Sequence, residues 1–411
     1  RKYGDIFSFY VGSRLVVVLN GFDVIREALV KKAALFSHRP VTFMSQQMGQ
    51  GKGIVNTSGA QWREQRGFAV RALRAQGVER TSVMGERIQR EVDALLEVMD
   101  DACKDGKPLG PPFRTALGAL KNCFDNFGNT EPLNFFPMAR FLPGDPCHYW
   151  YTIHNMQVLE NTLVHSELAQ REGALRDGPA DDVMSAYLRE MSKKQEEGTP
   201  TTMDKTNLVK LAGDLLAGGA EPPSNTTTWI LLYMVRFPEV QERCYQELLE
   251  HVGRERTPNL DDRTHLPYLQ ATIMEIQRHA DVGPFAMAHG LATDAELRGF
   301  HIPRDAIVLV NVHSVLHAPG SWGDDPDVFR PERFLDEEGR VVNHPQFIPY
   351  SMGPRICPGE NMGRMELFLY TASILHRYRL SHHGPTPPSL EGRMALMHIA
   401  PEFKFCLEKR N

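Results

Sequence analysis

The sequence predicts a mainly α protein with a smaller β part. Three observations predict it: a long, mostly apolar helical run from about Lys205 to Arg236, amphipathic helical text recurring on both sides of it, and strand-like text confined to a few short stretches. With 411 residues and 42% hydrophobic content the chain can bury a large core, and neither a repeat nor a composition shift divides it. A single domain over 1–411 is expected. The net charge of −5 gives no reason to expect nucleic-acid binding. The six cysteines lack CxxC or other regular spacing, which argues against a disulfide framework or a zinc module and fits a reducing compartment. No apolar run is long enough to span a membrane, but Arg1-Lys2-Tyr3-Gly4-Asp5 leads straight into strand-like text, so the start reads as a cut with an anchor removed ahead of it.

Taken in order, Ile6 to Phe9 and Leu15 to Leu19 around Gly12-Ser13 predict a β-hairpin, and Gly21 to Lys32 a short amphipathic helix. Arg39-Pro40 to Asn56, rich in Gly, Gln and Met, predicts a long loop. The helix that follows carries Trp62 and Arg66 at i, i+4, placing two rigid donors on one face. Helical text runs from Ser82 to Ala102. Between Leu117 and Asn129 the rhythm breaks, as though residues were missing there. Pro137 to Pro146 predicts a loop, then a helical pair through Leu188 interrupted at Gly173 to Asp182, and Lys193 to Thr202 reads as a linker.

The long run holds Ala217-Gly218-Gly219-Ala220-Glu221-Pro222-Pro223-Ser224-Asn225 at its centre. Each interior proline removes a backbone bond and clashes with the preceding turn, at roughly 3 kcal/mol. Such a distortion points to function, the plain alternative being two helices meeting at a Pro-Pro break. Pro238 opens another helix, and Leu269 to Ala280 carries Glu275 and Arg278 at i, i+3. Strand text with His289 follows, then a meander that brings Arg333 within reach of that pair.

Cys357 lies between Gly353 and Pro358-Gly359, on a tight loop entering a helix at about Asn361. Helix-end N–H groups favour a thiolate, and a lone thiolate suits a single axial ligand to haem iron better than a zinc site. Arg355 stands where a haem propionate would need a cation. The bland reading of such a cysteine is a small buried hydrophobe.

Together these landmarks resemble the cytochrome P450 superfamily over essentially the whole chain. Tyr350, Gly353, Arg355, Cys357 and Gly359 fit its Phe-x-x-Gly-x-Arg-x-Cys-x-Gly pattern, Glu275-x-x-Arg278 and Pro331-Glu332-Arg333-Phe334 its Glu-Arg-Arg lock, and Trp62-x-x-x-Arg66 its propionate helix. The resemblance implies the P450 fold, with haem b between the long central helix and the Cys357 loop. Cys357 would be the axial thiolate and Trp62, Arg66, His289 and Arg355 the propionate residues, with Glu275, Arg278 and Arg333 structural. It also implies a substrate pocket of Phe43, Met44, Ala217, Gly218, Pro222, Phe285, Met287, Leu396 and Met397. The surrounding text looks most like animal microsomal members, so attachment to the endoplasmic reticulum membrane through a missing anchor is expected.

In monooxygenases of the family a threonine follows the acid of the central helix, but here Pro222 follows Glu221 and offers neither hydroxyl nor N–H. That departure is shared by hydroperoxide-metabolising members. On that resemblance the chain is expected to convert fatty-acid hydroperoxides to epoxyalcohols, or allene oxides, by homolytic O–O cleavage and oxygen rebound, with neither O2 nor NADPH and with no redox partner required. Glu221 and Asn225 are the catalytic candidates, Glu221 otherwise a hydrated groove carboxylate. Two alternatives stay open: an NADPH- and reductase-dependent microsomal monooxygenase hydroxylating a lipid or steroid, and a haem-binding sensor or carrier without turnover.

Overall fold

The computed structural model describes residues 3–78, 81–104, 129–165, 167–169, 171 and 182–410. The chain opens with the expected hairpin, β1 (Ile6–Val11) against β2 (Arg14–Asn20), turning at Gly12. It continues through α1 (Phe22–Arg26), a π turn over Glu27–Lys31, and α2 (Ala33–Phe36). The stretch expected to be a long loop contains a helix, α3 (Phe43–Gly49). Thr42 caps it reciprocally with Ser45, a local signal that the Gly and Gln content obscured.

Next come α4 (Gly59–Ala75), α5 (Thr81–Lys104), α6 (Tyr149–Leu159) and α7 (Val183–Glu196). The supposed linker from Lys193 to Thr202 therefore begins inside α7, whose last turn takes Lys193–Glu196 and whose Asp182 cap fixes its start, and only 197–202 lie outside the helix. Pro137–Phe141 forms a 3-10 turn rather than plain loop. The suspected gap at 117–129 and most of the interruption at 173–182 lie outside the described residues.

The central helix α8 spans Lys205–Arg236 without a break at Pro222-Pro223. At 1.5 Å per residue it is about 48 Å long. Asp204 caps it by accepting from Asn207 N at 2.6 Å. Prolines at 222 and 223 cannot donate to the carbonyls of Gly218 and Gly219, and those glycines, lacking Cβ, let the backbone yield where the rings would clash. Just beyond, the hydroxyls of Thr226, Thr227 and Thr228 donate to the carbonyls of Pro222, Pro223 and Ser224 at 2.8, 2.9 and 2.9 Å. These side chains are satisfied within the helix, which keeps its buried second half free of unmet polar groups.

Helix α9 (Pro238–His251) and helix α10 (Pro267–Ala280) both place proline in the first turn, where a missing N–H costs nothing. Short strands β3 (Ala295–Leu297), β4 (Phe300–Ile302) and β5 (Ile307–Asn311) follow, then the one-turn helix α11 (His313–Leu316) and α12 (Glu360–Arg377). Strands β6 (Tyr378–His382), β7 (Arg393–Met394), β8 (His398–Ile399) and β9 (Phe405–Lys409) close the chain. The principal sheet has order β1-β2-β5, with β5 parallel to β2 from Val16↔Ile307 to Asn20↔Asn311, so strands nearly 300 residues apart meet in one sheet. The largest core cluster packs Trp229–Val235 of α8 against α5, α9, α10 and α12. A second joins the sheet to α1, α10 and the meander around Trp322 and Phe334.

No helix among the described residues is long and apolar enough to cross a membrane.

Candidate functional site

The Cys357 loop is held from both sides. Gly353 adopts φ 75, and a Cβ there would sit 2.1 Å from the Leu29 carbonyl oxygen, so only glycine lets the loop press onto the π turn. Cys357 N donates to Tyr350 O at 3.1 Å, and the Tyr350 hydroxyl accepts from Gln277 Nε2 at 2.8 Å. Cys357 as a residue is exposed, yet protein surrounds its sulfur closely enough that burial pushes its thiol up; the Gly359 N–H and Arg66 pull the other way. The helix end alone therefore does not secure the expected thiolate. A bound metal cation would.

Beside this loop the structure gathers Trp62, Arg66, His289 and Arg355, and adds Arg39, which the sequence reading missed. The Arg355 guanidinium carbon lies 3.9 Å from the Trp62 ring centroid and that of Arg66 5.9 Å. Arg355 donates to the carbonyls of Ser37 at 2.7 Å and Ile54 at 3.1 Å, and also to that of Thr57. Arg39 donates to Val55 O at 3.0 Å and to Met287 O and Ala288 O at 2.9 and 3.0 Å. Burial and the neighbouring guanidiniums push Arg355 down to about 8 and Arg39 down to about 10. Among the described residues, none of these three arginines forms an ion pair with a carboxylate.

His289 Nδ1 donates to Phe36 O at 2.7 Å, and burial followed by the Arg39 charge pushes this imidazole down to about 3. The Trp62 Nε1–H is buried with no hydrogen-bond partner among the described residues. Crowded cations without an anion and an orphaned donor beside them cost free energy unless a multiply charged acid joins them. A haem with two propionates fits this set, and Cys357 would supply the sulfur for its iron.

The structural triad is formed. Arg278 pairs with Glu275 through Nε at 2.7 Å and Nη2 at 2.8 Å, and both residues are fully buried. Arg333 Nε reaches Glu275 Oε1 at 3.3 Å, and its other nitrogens hold the carbonyls of Trp322, Asp325 and Val328.

The distal candidates divide. Glu221 is half-buried one turn from the exposed Gly218 and Gly219, beside which a Cβ would meet nothing within 4 Å. Asn225 is buried with its amide engaged elsewhere: Nδ2 donates to His398 O at 2.9 Å and Oδ1 accepts from Ala400 N at 3.1 Å. It fastens the β7–β8 hairpin to α8, together with Trp229 Nε1, and this corrects its expected catalytic part. One turn of helix carries a side chain well away from Glu221 when tertiary contacts claim it.

Of the expected pocket residues, Phe285 and Met287 are exposed at 43% and 38%. Ala217 and Pro222 are half-buried, Leu396 sits half-buried at the hairpin tip, and Met397 beside it is buried. Met44 is a correction: it is 1% exposed in a satellite core with Leu133, Cys147 and Tyr149, against which Phe43 packs. The capped helix α3 turns both side chains into that core.

Asp214 is a second residue the sequence reading missed. Its Oδ2 accepts from Ile54 N at 2.7 Å and Val55 N at 3.0 Å, tying the loop that supplies carbonyls to Arg355 and Arg39 onto α8. The signal was an acid in an apolar helical run, one of two there with Glu221.

A family model described as Cytochrome P450 matches residues 1–120 and 107–407. The chain is similar to Cytochrome P450 2U1 of Bos taurus, 32% identical with 100% of this chain and 80% of that protein covered. It is 31% identical to Cytochrome P450 2C70 of Rattus norvegicus, over 99% of this chain and 87% of the relative. With Cytochrome P450 2B4 of Oryctolagus cuniculus it shares 33% identity over 94% of this chain and 83% of the relative. None of these names points to the hydroperoxide-metabolising group, so that narrower resemblance gains no support. They also overturn the expectation that no redox partner is required, since relatives of this kind are NADPH-dependent monooxygenases that need one.

Proposed function

The chain belongs to the cytochrome P450 family, and we propose that it is a haem b monooxygenase of the endoplasmic reticulum membrane that hydroxylates a lipid or steroid with electrons from NADPH through a reductase. The observation that carries this reading is the anion cradle of Arg39, Trp62, Arg66, His289 and Arg355 beside the Cys357 loop, in a chain that aligns from end to end with Cytochrome P450 2U1.

When bound, haem with a thiolate ligand supplies the one-electron and dioxygen chemistry. The protein's part is to hold and protonate. Trp62 Nε1 and the arginines would hold the propionates, and Cys357 Sγ would hold the iron. Proton supply falls to the distal turn of α8, where the Thr hydroxyl of other members is replaced. Pro222 and Pro223 leave the Gly218 and Gly219 carbonyl oxygens without helix donors, so these oxygens accept from water, and the Glu221 carboxyl passes protons to that water from solvent. A lipid substrate is supported by the exposed apolar Phe285 and Met287, whose segment is bonded to Arg39 at the cradle.

The test incubates the purified haem protein with fatty acids and steroids, plus and minus NADPH and reductase, with fatty-acid hydroperoxides alone as the contrast. Hydroxylated product that requires both NADPH and reductase is expected. Turnover confined to the hydroperoxides would overturn the reading.

A further inference from the structure

We infer that Asp281, His313 and His317 form a binding site for a divalent cation of the zinc class, separate from the haem cradle. A carboxylate oxygen of Asp281 and a ring nitrogen of each histidine lie within 4.8 Å of one another. The two histidines are spaced i, i+4 over the single turn of α11, closed by His317 N donating to His313 O at 3.0 Å, and their rings stack with centroids 4.3 Å apart. This spacing puts two imidazoles on one helical face, a common arrangement for metal ligands. The third group comes from the end of α10, and the two segments are already tied, since His313 N donates to Pro284 O at 3.0 Å.

Two further observations point to a ligand. Asp281 is 3% exposed, yet among the described residues its Oδ1 has no hydrogen-bond partner, and His317 Nε2 is likewise buried without one. Asp281 Oδ2 is engaged only by His313 Nδ1, at 2.8 Å, among the described residues. A cation can replace the proton in that pair and satisfy the orphaned atoms together.

The surroundings set the class and the geometry. Arg278 packs nearby, but its charge is held by Glu275, while Asp327 Oδ1 lies 3.8 Å from His317 Nδ1 on the outer side. The His279 ring stands 6.0 Å from that of His317, with its nitrogens engaged by the Tyr233 hydroxyl and the Asp327 carbonyl. Two imidazoles and one carboxylate suit zinc rather than calcium or magnesium. Because the His313 side chain is 56% exposed, the fourth position opens to solvent and takes water. Occupancy fastens the end of α10 to α11 next to the buried Glu275–Arg278 pair, which makes the role one of stability.

The haem-loaded protein is stripped with EDTA, desalted and titrated with ZnCl2 by calorimetry, and its melting temperature is read with and without Zn2+. One binding event per chain is expected, weakened at least about tenfold in His313→Ala and in Asp281→Asn, with the rise in melting temperature lost in both. Zinc-edge X-ray absorption on the wild type should show two imidazoles in the shell. No binding, or unchanged affinity and melting shift in His313→Ala, or a shell without imidazole, would overturn the site and leave a buried water as the bridge between Asp281 and His317. None of these readouts depends on turnover.

Discussion

Arg355 stacks on Trp62 at 3.9 Å, while the edge of the same indole carries a buried Nε1–H that no atom of the described residues accepts. The ring face serves the cations Arg355 and Arg66, and the ring edge is left for an anion. Trp62→Phe keeps the face and deletes the donor. A hydrogen bond to a charged group is worth about 1.5–3 kcal/mol, so the variant should release haem roughly 10- to 100-fold faster into an apoprotein acceptor, with far-UV circular dichroism unchanged. Haem loss at the wild-type rate would mean that Nε1–H does not meet a propionate.

The Glu275–Arg278 pair is fully buried, and Glu275 also accepts from Arg330 N at 2.9 Å and Arg333 Nε at 3.3 Å. Removing one partner strands a buried guanidinium. Glu275→Ala is expected to destabilise by about 3–5 kcal/mol, enough to abolish recovery of haem-loaded protein. Glu275→Gln, which keeps two acceptor sites but not the charge, should fall between the two in denaturant midpoint. If Glu275→Ala melted like the wild type, the triad would not be holding the meander.

Asp214 gives the fold a pH dependence. Burial raises its carboxyl from 3.8 to about 6 against the lowering by the Ile54 and Val55 N–H groups. Between those values the folded state binds a proton that the unfolded state has lost, so this contribution to stability is full below about pH 4 and is lost as pH rises through 6. Asp214→Asn removes the titration while keeping an acceptor for the two N–H groups. The difference in melting temperature between pH 4.5 and pH 7.5 should shift in favour of the higher pH relative to wild type, and an unchanged difference would show that Asp214 is ionised throughout.

How far these features were legible in the sequence follows from the range of the interactions. The span of α8, the hairpin at Gly12 and the Glu275–Arg278 pair are local, set by periodicity, turn residues and i, i+3 spacing, and they are where the residues alone place them. Arg39 could not be singled out, because its role comes from meeting carbonyls at Met287 and Ala288, some 250 residues away. Met44 and Asn225 were misread for the same reason: an apolar or amide residue near a predicted site carries no mark of whether a distant core or hairpin has claimed it. The Pro222 departure was plain, but it identified what the distal turn lacks and said little about what replaces it.

Pro222 is where the proposed activity is most exposed to test. A threonine there restores an N–H to the Gly218 carbonyl and adds a hydroxyl on the distal turn, leaving Pro223 in place. Removing one interior proline should raise the melting temperature, by up to the ~3 kcal/mol such a residue costs and less here because Gly218 already yields. If Gly218 O and Glu221 serve a water that stands in for the missing hydroxyl, Pro222→Thr should also change coupling, giving more hydroxylated product per NADPH and less hydrogen peroxide. Glu221→Gln in the Pro222 background should do the reverse, because the carboxyl is then unable to pass a proton. Peroxide and product are counted against NADPH in the same reductase-supported assay. A higher melting temperature with unchanged coupling would make the Pro222 effect one of backbone alone and would remove the two carbonyls from the proton path.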